Sequence, residues 1–408
     1  MATVKGFRGI RYNPEKIEDF GDVLAPPYDV INAQEQEDLY NKNPYNVIRL
    51  ILSKGGDDSK YEEASKTFRN WIESDILTND EEPSIYPYYQ EFEEDGKKLT
   101  RKGFLAAVKI EDFATKKILP HERTFPKHKR DRLKLNTACK ANMSPVFSVY
   151  SDPDIVIEKL LDEKLTSEPI FDITNEDGVR NKLWRISDPD TISFIGNHLE
   201  DKSLLIADGH HRYETAIEYR NIQREVNGQT SGDKPYEYVM MFLSNTEDEG
   251  LIINPTHRVL KNIGDMDLDS FLNKLGEEFN IEKLPYEEGI SNIGYEEFTI
   301  LTRDPEFVYK ATLKNSNIES PNRLAVTLLH NNVFNKIIDE DSAGILYTKF
   351  LDEAVQLVRN GEYEIAFILP ELRASDIFDV VLTGDRMPQK TTYFYPKILS
   401  GLVFNPLA

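Results

Sequence analysis

Residues 206–212 read "IADGHHR", and within them His210 and His211 are two of only seven histidines in the chain. Imidazoles donate hydrogen bonds or carry positive charge near neutral pH, and the Arg212 guanidinium is suited to clamp a phosphate with two parallel N–H bonds. Asp208 can cap a helix, orient a histidine or sit near a magnesium ion. The preceding "SLLIA" is a short apolar run that predicts a buried strand. Gly209 then permits backbone angles other residues resist. From His211 onward Tyr213, Ala216, Ile217 and Ile222 fall broadly on one helical face, with Glu214, Glu218 and Arg220 off it. A strand that turns through glycine into a helix presents backbone N–H groups at the helix start, and with the helix dipole these form an anion site. The spacing does not suit zinc, because adjacent residues rarely ligate one metal together and the chain has a single cysteine.

A second constellation lies upstream in "ILPHERTFPKHKRDRLKL", which gathers His121, Glu122 and Arg123, then Lys127, His128, Lys129, Arg130, Arg132 and Lys134. Glu122 can act as a general base beside a hydroxyl, and the basic island can hold a polyphosphate. The alternative is a solvated loop with surface ion pairs, each worth little. Contact with nucleic acid is disfavoured by the lack of interleaved aromatics. Elsewhere, "APPYDVI" sets Tyr28 and Asp29 on a proline-stiffened loop, and "NPYNVIRL" offers Arg49 for a substrate carboxylate or for the edge of a core. Lys390 and Thr391 in "QKTT" lack the glycines of a phosphate loop, yet can approach the site from the C-terminal part. His257 and Trp184 read as structural, and Cys139 as a buried residue without a partner base.

The elements that must position these groups alternate along the chain. "AQEQEDLYNKNP" and "YEEASKTFRNWIESDIL" predict helices, "SIYPYYQEF" and "GFLAAVKI" strands, and "YNVIRLIL" a buried strand. "IQREVNGQTSGDK" loses apolar periodicity, which places a boundary near residue 225 and divides the chain into 1–225 and 226–408. Beyond it "YEYVMMFLS" and "GLIINPTHRVL" read as paired strands, "LDSFLNKLGEEF" and "YTKFLDEAVQLVRNG" as helices, and "YEIAFIL" as a buried strand. Strands and helices mix throughout, so the fold class is α/β or α+β.

The 408 residues carry 49 Lys and Arg against 71 Asp and Glu, a formal net charge of -22. Such a field repels nucleic acid and anionic membranes. One cysteine excludes an internal disulfide, and no stretch approaches eighteen apolar residues. A cytoplasmic globular protein is expected, while oligomeric state is not readable.

The stretches "FRGIRYNPEKI", "LAPPYDVI", "NPYNVIRL", "PHERTFP", "DRLKL", "LWRI", "IADGHHRYETA" and "MPQKTTYFYPK" resemble a bacterial and archaeal domain-of-unknown-function family, numbered one thousand and fifteen. "PHE" with "IADGHHRYETA" also resembles the ParB/sulfiredoxin-like superfamily, especially its free serine kinases. That resemblance implies a ParB/sulfiredoxin-like core with an additional C-terminal α/β region. It implies Glu122 as base, and Asp208, Gly209, His210, His211 and Arg212 as a phosphate site joined by Arg123, Thr124 and Lys390. His210 and His211 are catalytic candidates with Glu122, Tyr28, Asp29 and Arg49 substrate-binding ones, and Asp208 a metal candidate. The activity implied is phosphorylation of a small free amino acid, L-serine first, from ATP or ADP with Mg2+. A non-catalytic nucleotide-binding regulator and a phosphate-ester hydrolase are the alternatives. The chain departs from the short kinases in the long separation of Glu122 from Asp208 and in its large C-terminal region.

Overall fold

The computed structural model describes residues 2–94, 96–122, 126–228, 232–291, 293–314, 323–340 and 342–408, the side chains of 126–128 excepted. The chain forms two compact units. One comprises 1–120, 124–252 and 396–408; the other comprises 121–123 and 253–395. Both are mixed α/β. Among the described residues, no helix is long and apolar enough to cross a membrane.

The first unit is organised by a nine-stranded mixed sheet. Its order is Ile118–Pro120, Leu204–Asp208, Val146–Tyr150, Tyr238–Asn245, Lys97–Lys109, Tyr86–Glu94, Arg180–Leu183 and Phe171–Thr174, with Val4–Lys5 added beside Lys97–Lys109. The strand Tyr238–Asn245 lies inside this sheet, antiparallel to Lys97–Lys109 and parallel to Val146–Tyr150. All eight of its residues are buried, as expected of a central strand covered on both faces. This insertion is why the first unit runs past residue 225 to residue 252. The loss of apolar periodicity near 222–234 does not end the unit there: the helix His210–Asn227 runs into the start of that stretch, and the strand Tyr238–Asn245 beyond it belongs to the same unit.

The apolar face of that helix matches the sequence pattern only in part. Tyr213 and Ala216 enter a core with Ile206, Val146, Tyr150, Val239 and Met241. Ile222 is exposed, whereas Arg220 is buried. Arg220 donates to the Ile110 carbonyl at 2.9 Å and to Asp112 at 2.8 Å, so its charge enters the interior with partners. "YNVIRLIL" also departs from expectation: Ile48–Ile51 is a short helix with Ile48, Leu50 and Ile51 buried. An apolar run this short does not distinguish strand from buried helix by periodicity. The basic island is likewise not a loop. It forms the helix Pro126–Cys139, packed between the helices Ser59–Glu73 and His210–Asn227. Cys139 is buried there, and burial pushes its thiol up to about 12. Trp184 is half-buried with its ring 5.2 Å from that of Tyr89.

The second unit carries a six-stranded sheet in the order Phe279–Pro285, Phe307–Leu313, Glu297–Leu301, Ile365–Ile368, His257–Leu260 and Ile345–Thr348. Of "GLIINPTHRVL", His257–Leu260 pairs here and Ile252–Pro255 pairs with Thr392–Tyr395, not with "YEYVMMFLS" as the sequence suggested. Leu268–Glu278 and Leu351–Arg359 form helices, and Gly361 follows the second with a positive φ of 84°. His257 is buried, and its Nδ1 accepts the Leu369 N–H at 3.2 Å. Burial, aided by the neighbouring Arg258, lowers its pKa to about 4.

The unfolded histidine therefore takes up a proton near pH 6.5 while the folded one resists until about pH 4. Stability is fully present above pH 6.5 and is lost as pH falls through that window, by about 3 kcal/mol in total. His257→Asn keeps an acceptor at a similar position and does not titrate. Urea unfolding of the second unit at pH 7 and pH 4.5 is expected to show a smaller pH-dependent loss in the variant than in the parent.

Candidate functional site

The strand Leu204–Asp208 runs parallel to Ile118–Pro120 and antiparallel to Val146–Tyr150. Against the latter, Ile206 faces Ser148 but Asp208 faces Phe147, so Ala207 is an extra residue and the register shifts. Side chains alternate faces along a strand. The bulge therefore turns Asp208 to the face opposite Ile206, which remains in the core with Tyr213. Gly209 follows at φ 92°, and the helix His210–Asn227 starts at once, with no side-chain cap from residue 209. A Cβ at Gly209 would lie 2.8 Å from Arg212 Nε and 2.9 Å from its Cζ, so glycine is favoured by the left-handed backbone, and any side chain there would displace the guanidinium.

Asp208 is the electrostatic centre of the junction. Its Oδ2 accepts from Arg212 Nη2 at 2.6 Å, and its Oδ1 pairs with Lys397 Nζ at 3.3 Å. Burial acts to raise its pKa, but Lys397, Arg212 and His210 together hold the carboxyl well below the usual range. Arg212 also donates through Nη1 to the Pro145 carbonyl, which fixes the plane of its guanidinium. His210 is buried and His211 half-buried. Both carboxylate oxygens of Asp208 are thus engaged by cations. This arrangement does not fit a resident divalent ion on Asp208. Among the described residues, no group of three or more His, Cys, Asp or Glu could hold a metal ion.

Tyr28 lies near this junction, in the first unit. Its ring is covered by the Arg132 guanidinium at 3.9 Å. Burial and then Asp29 push its phenol up to about 12, with Arg132 and Arg212 acting in the opposite direction. Tyr28, Arg132 and Arg212 line a small cleft with Asn136, Asn142 and Ser144. Arg132 reaches it because its helix is anchored on two sides. Lys60 and Tyr61 bond Asp131 at 2.8 Å and 2.7 Å, and Lys129 pairs with Glu214 at 2.7 Å. Lys134 pairs with Asp58, so much of the basic island is neutralised locally. Arg49 donates to the Tyr40 carbonyl at 2.7 Å and stacks on the Tyr40 ring, and it does not line the cleft. Asp29 is exposed.

Glu122 belongs to the second unit. It bridges to Met387, accepts the Thr391 N–H at 3.3 Å, and lies 3.8 Å from His121 Nε2. His121 in turn bonds Thr392 Oγ1 at 2.9 Å. The loop carrying Lys390 is held by buried Arg258, whose Nη2 donates to the Lys390 carbonyl at 3.1 Å. Lys390 itself is exposed and adopts φ 55°. Arg123 and Thr124 lie outside the described residues. Arg132 is not distinguished in the sequence from the other cations of the basic island, and Lys397 shows only as the last residue of "TTYFYPK".

Gly209→Ala is expected to destabilise the first unit by roughly 1 to 3 kcal/mol, because a left-handed backbone acquires a Cβ that meets the guanidinium. Urea unfolding checks the stability. Displacement of Arg212 is read from its Nε–H resonance in an NMR spectrum.

A family model described as protein of unknown function (DUF1015) matches residues 4–334. No curated protein matches the chain. Among solved structures the chain is similar to a conserved hypothetical protein from Pyrococcus furiosus, at 16% identity over 69% of this chain and 89% of that one, with a TM-score of 0.36. It is similar to a free serine kinase in complex with AMP, at 15% identity over 68% and 83% of the two chains, TM-score 0.36. It is also similar to SbnI with C-terminal truncation from Staphylococcus aureus, at 10% identity over 72% and 85%, TM-score 0.39.

Proposed function

The chain belongs to the DUF1015 family of proteins of unknown function, and from its site we propose a phosphotransferase that moves a phosphoryl group from ATP or ADP to the hydroxyl of a small free amino acid, L-serine first. The observation that carries this reading is the junction at 208–212. There a helix start without a side-chain cap follows a left-handed glycine, flanked by Arg212 and Lys397. Phosphoryl transfer asks a protein mainly for positioning and for charge stabilisation on the transferred group. Helix-terminal N–H groups, a guanidinium and an ammonium are donors of the required kind.

In the proposed step the substrate oxygen attacks the terminal phosphorus. The hydroxyl proton passes to Glu122, and the bond to the bridging oxygen breaks to leave ADP or AMP. The role of Glu122 rests on the resemblance of "PHE" to the free serine kinases, and so does the ParB/sulfiredoxin-like assignment of the core. Asp208 serves as the anchor that keeps Arg212 and Lys397 in place; no step is routed through a metal on it.

Pure protein with ATP or ADP, magnesium and L-serine is expected to yield phosphoserine, read by mass spectrometry. Arg212→Ala should lower kcat/KM by about a hundredfold or more, and Glu122→Gln by a comparable factor if it takes the proton. Absence of phosphoserine with either nucleotide removes the kinase reading. Nucleotide binding without turnover, read by calorimetry, returns the regulatory one.

A further inference from the structure

We propose that the cleft beside Tyr28 is a carboxylate-binding pocket for a free α-amino acid, with Arg132 as its recognition residue. The inference rests on the phosphotransferase reading for the identity of its ligand, but not for its chemistry. Two guanidinium groups, those of Arg132 and Arg212, line one small cleft. Like charges gathered in a partly desolvated space are costly unless each has a counter-charge or an anion joins them. Each has one carboxylate partner, and Arg212 shares its own with Lys397. Arg132 bonds Asp131 through Nε at 2.8 Å and also through Nη2, and Arg212 bonds Asp208.

The donor count leaves room for an anion. A guanidinium has five N–H bonds. Arg132 directs two at Asp131 and one at the Ile51 carbonyl, while Arg212 directs one at Asp208 and one at the Pro145 carbonyl. Stacking on Tyr28 holds the Arg132 plane still; with Nε and Nη2 bonding Asp131, one N–H on each of Nη1 and Nη2 remains for a planar bidentate partner, the geometry a carboxylate matches. The Tyr28 phenol, with its pKa pushed up to about 12, stays protonated at neutral pH. The lining also includes Asn136 and Ser144, whose hydroxyl pairs with Ser400 Oγ at 2.7 Å.

Continuity narrows the ligand class. Arg212 belongs both to the cleft and to the Asp208 junction, so a carboxylate held here brings its molecule beside the proposed phosphate site. Arg49, the carboxylate candidate from sequence, is occupied with Tyr40 instead.

The test is a calorimetric titration of the full chain with three probes: L-serine, L-serinamide and inorganic phosphate. L-serine is expected to bind at least tenfold more tightly than serinamide, which lacks the carboxylate. Arg132→Lys keeps a positive charge for Asp131 but loses the fork, and should weaken L-serine at least tenfold while the melting temperature stays near that of the parent. Tyr28→Phe, a milder change, should keep the stacked ring and lose a smaller factor. Equal binding of serine and serinamide overturns the proposal, as does a folded Arg132→Lys with unchanged affinity. Phosphate binding as tightly as serine, and competing with it, overturns it too, by making the cleft a general anion site. Carboxylate-dependent binding without phosphoserine formation leaves the pocket standing and removes the kinase reading. Turnover whose KM for serine ignores Arg132→Lys does the reverse.

Discussion

Asp208 holds two cations on one carboxylate, and the local architecture follows from that arrangement. Arg212 comes from one helical turn further along the chain, and Lys397 from a segment nearly two hundred residues away. For the carboxylate to meet both, the strand must turn Asp208 away from the core, which the bulge at Ala207 does. The chain must then enter its helix without a side chain at residue 209. Arg212, fixed by Asp208 and by the Pro145 carbonyl, becomes a wall of the Tyr28 cleft. Removing Asp208 would leave two cations gathered without their counter-charge, a cost set by desolvation rather than by any one hydrogen bond.

The second unit repeats this use of a buried cation in a different form. Arg258 is fully enclosed, and burial lowers its pKa to about 10 despite the proximity of Tyr347, Glu340 and Glu122. Its donors go to carbonyls, those of Thr256, Gln389 and Lys390. Backbone oxygens hold this guanidinium, whereas Arg212 combines the Asp208 carboxylate with the Pro145 carbonyl. The loop that bonds Glu122 through Thr391 is thereby tied to the sheet strand His257–Leu260.

Where the signal was local, the sequence was readable. "SLLIADGHHRYETA" announces strand, turn and helix because its apolar run, its glycine and its helical period all act within a few residues of one another. The helix Ala33–Lys42 shows the same locality, with a capping box between Asn32 and Glu35. Where partners are distant, the pattern misled. Arg132 reads as one of many surface cations until the fold brings it against Tyr28, and Arg220 reads as a polar-face residue until Ile110 and Asp112 receive it. The strand Tyr238–Asn245 is evident from its apolar run, but its place in the centre of the first sheet depends on nonlocal pairing. No periodicity encodes a pairing partner.

The first unit is also discontinuous in sequence. Residues 396–408 belong with 1–252, although 253–395 fold as a separate unit between them. Proteins are made from the N-terminus, and units that are complete tend to fold as synthesis proceeds. A nascent chain that has reached residue 395 already contains Asp208 and Arg212 but not Lys397. Its carboxylate has one of its two cations, and the strand pair that Ile10 makes with Phe404 has not yet closed. Order of translation therefore makes the second unit a timer: the Asp208 junction acquires its full charge set only after the intervening unit has been synthesised.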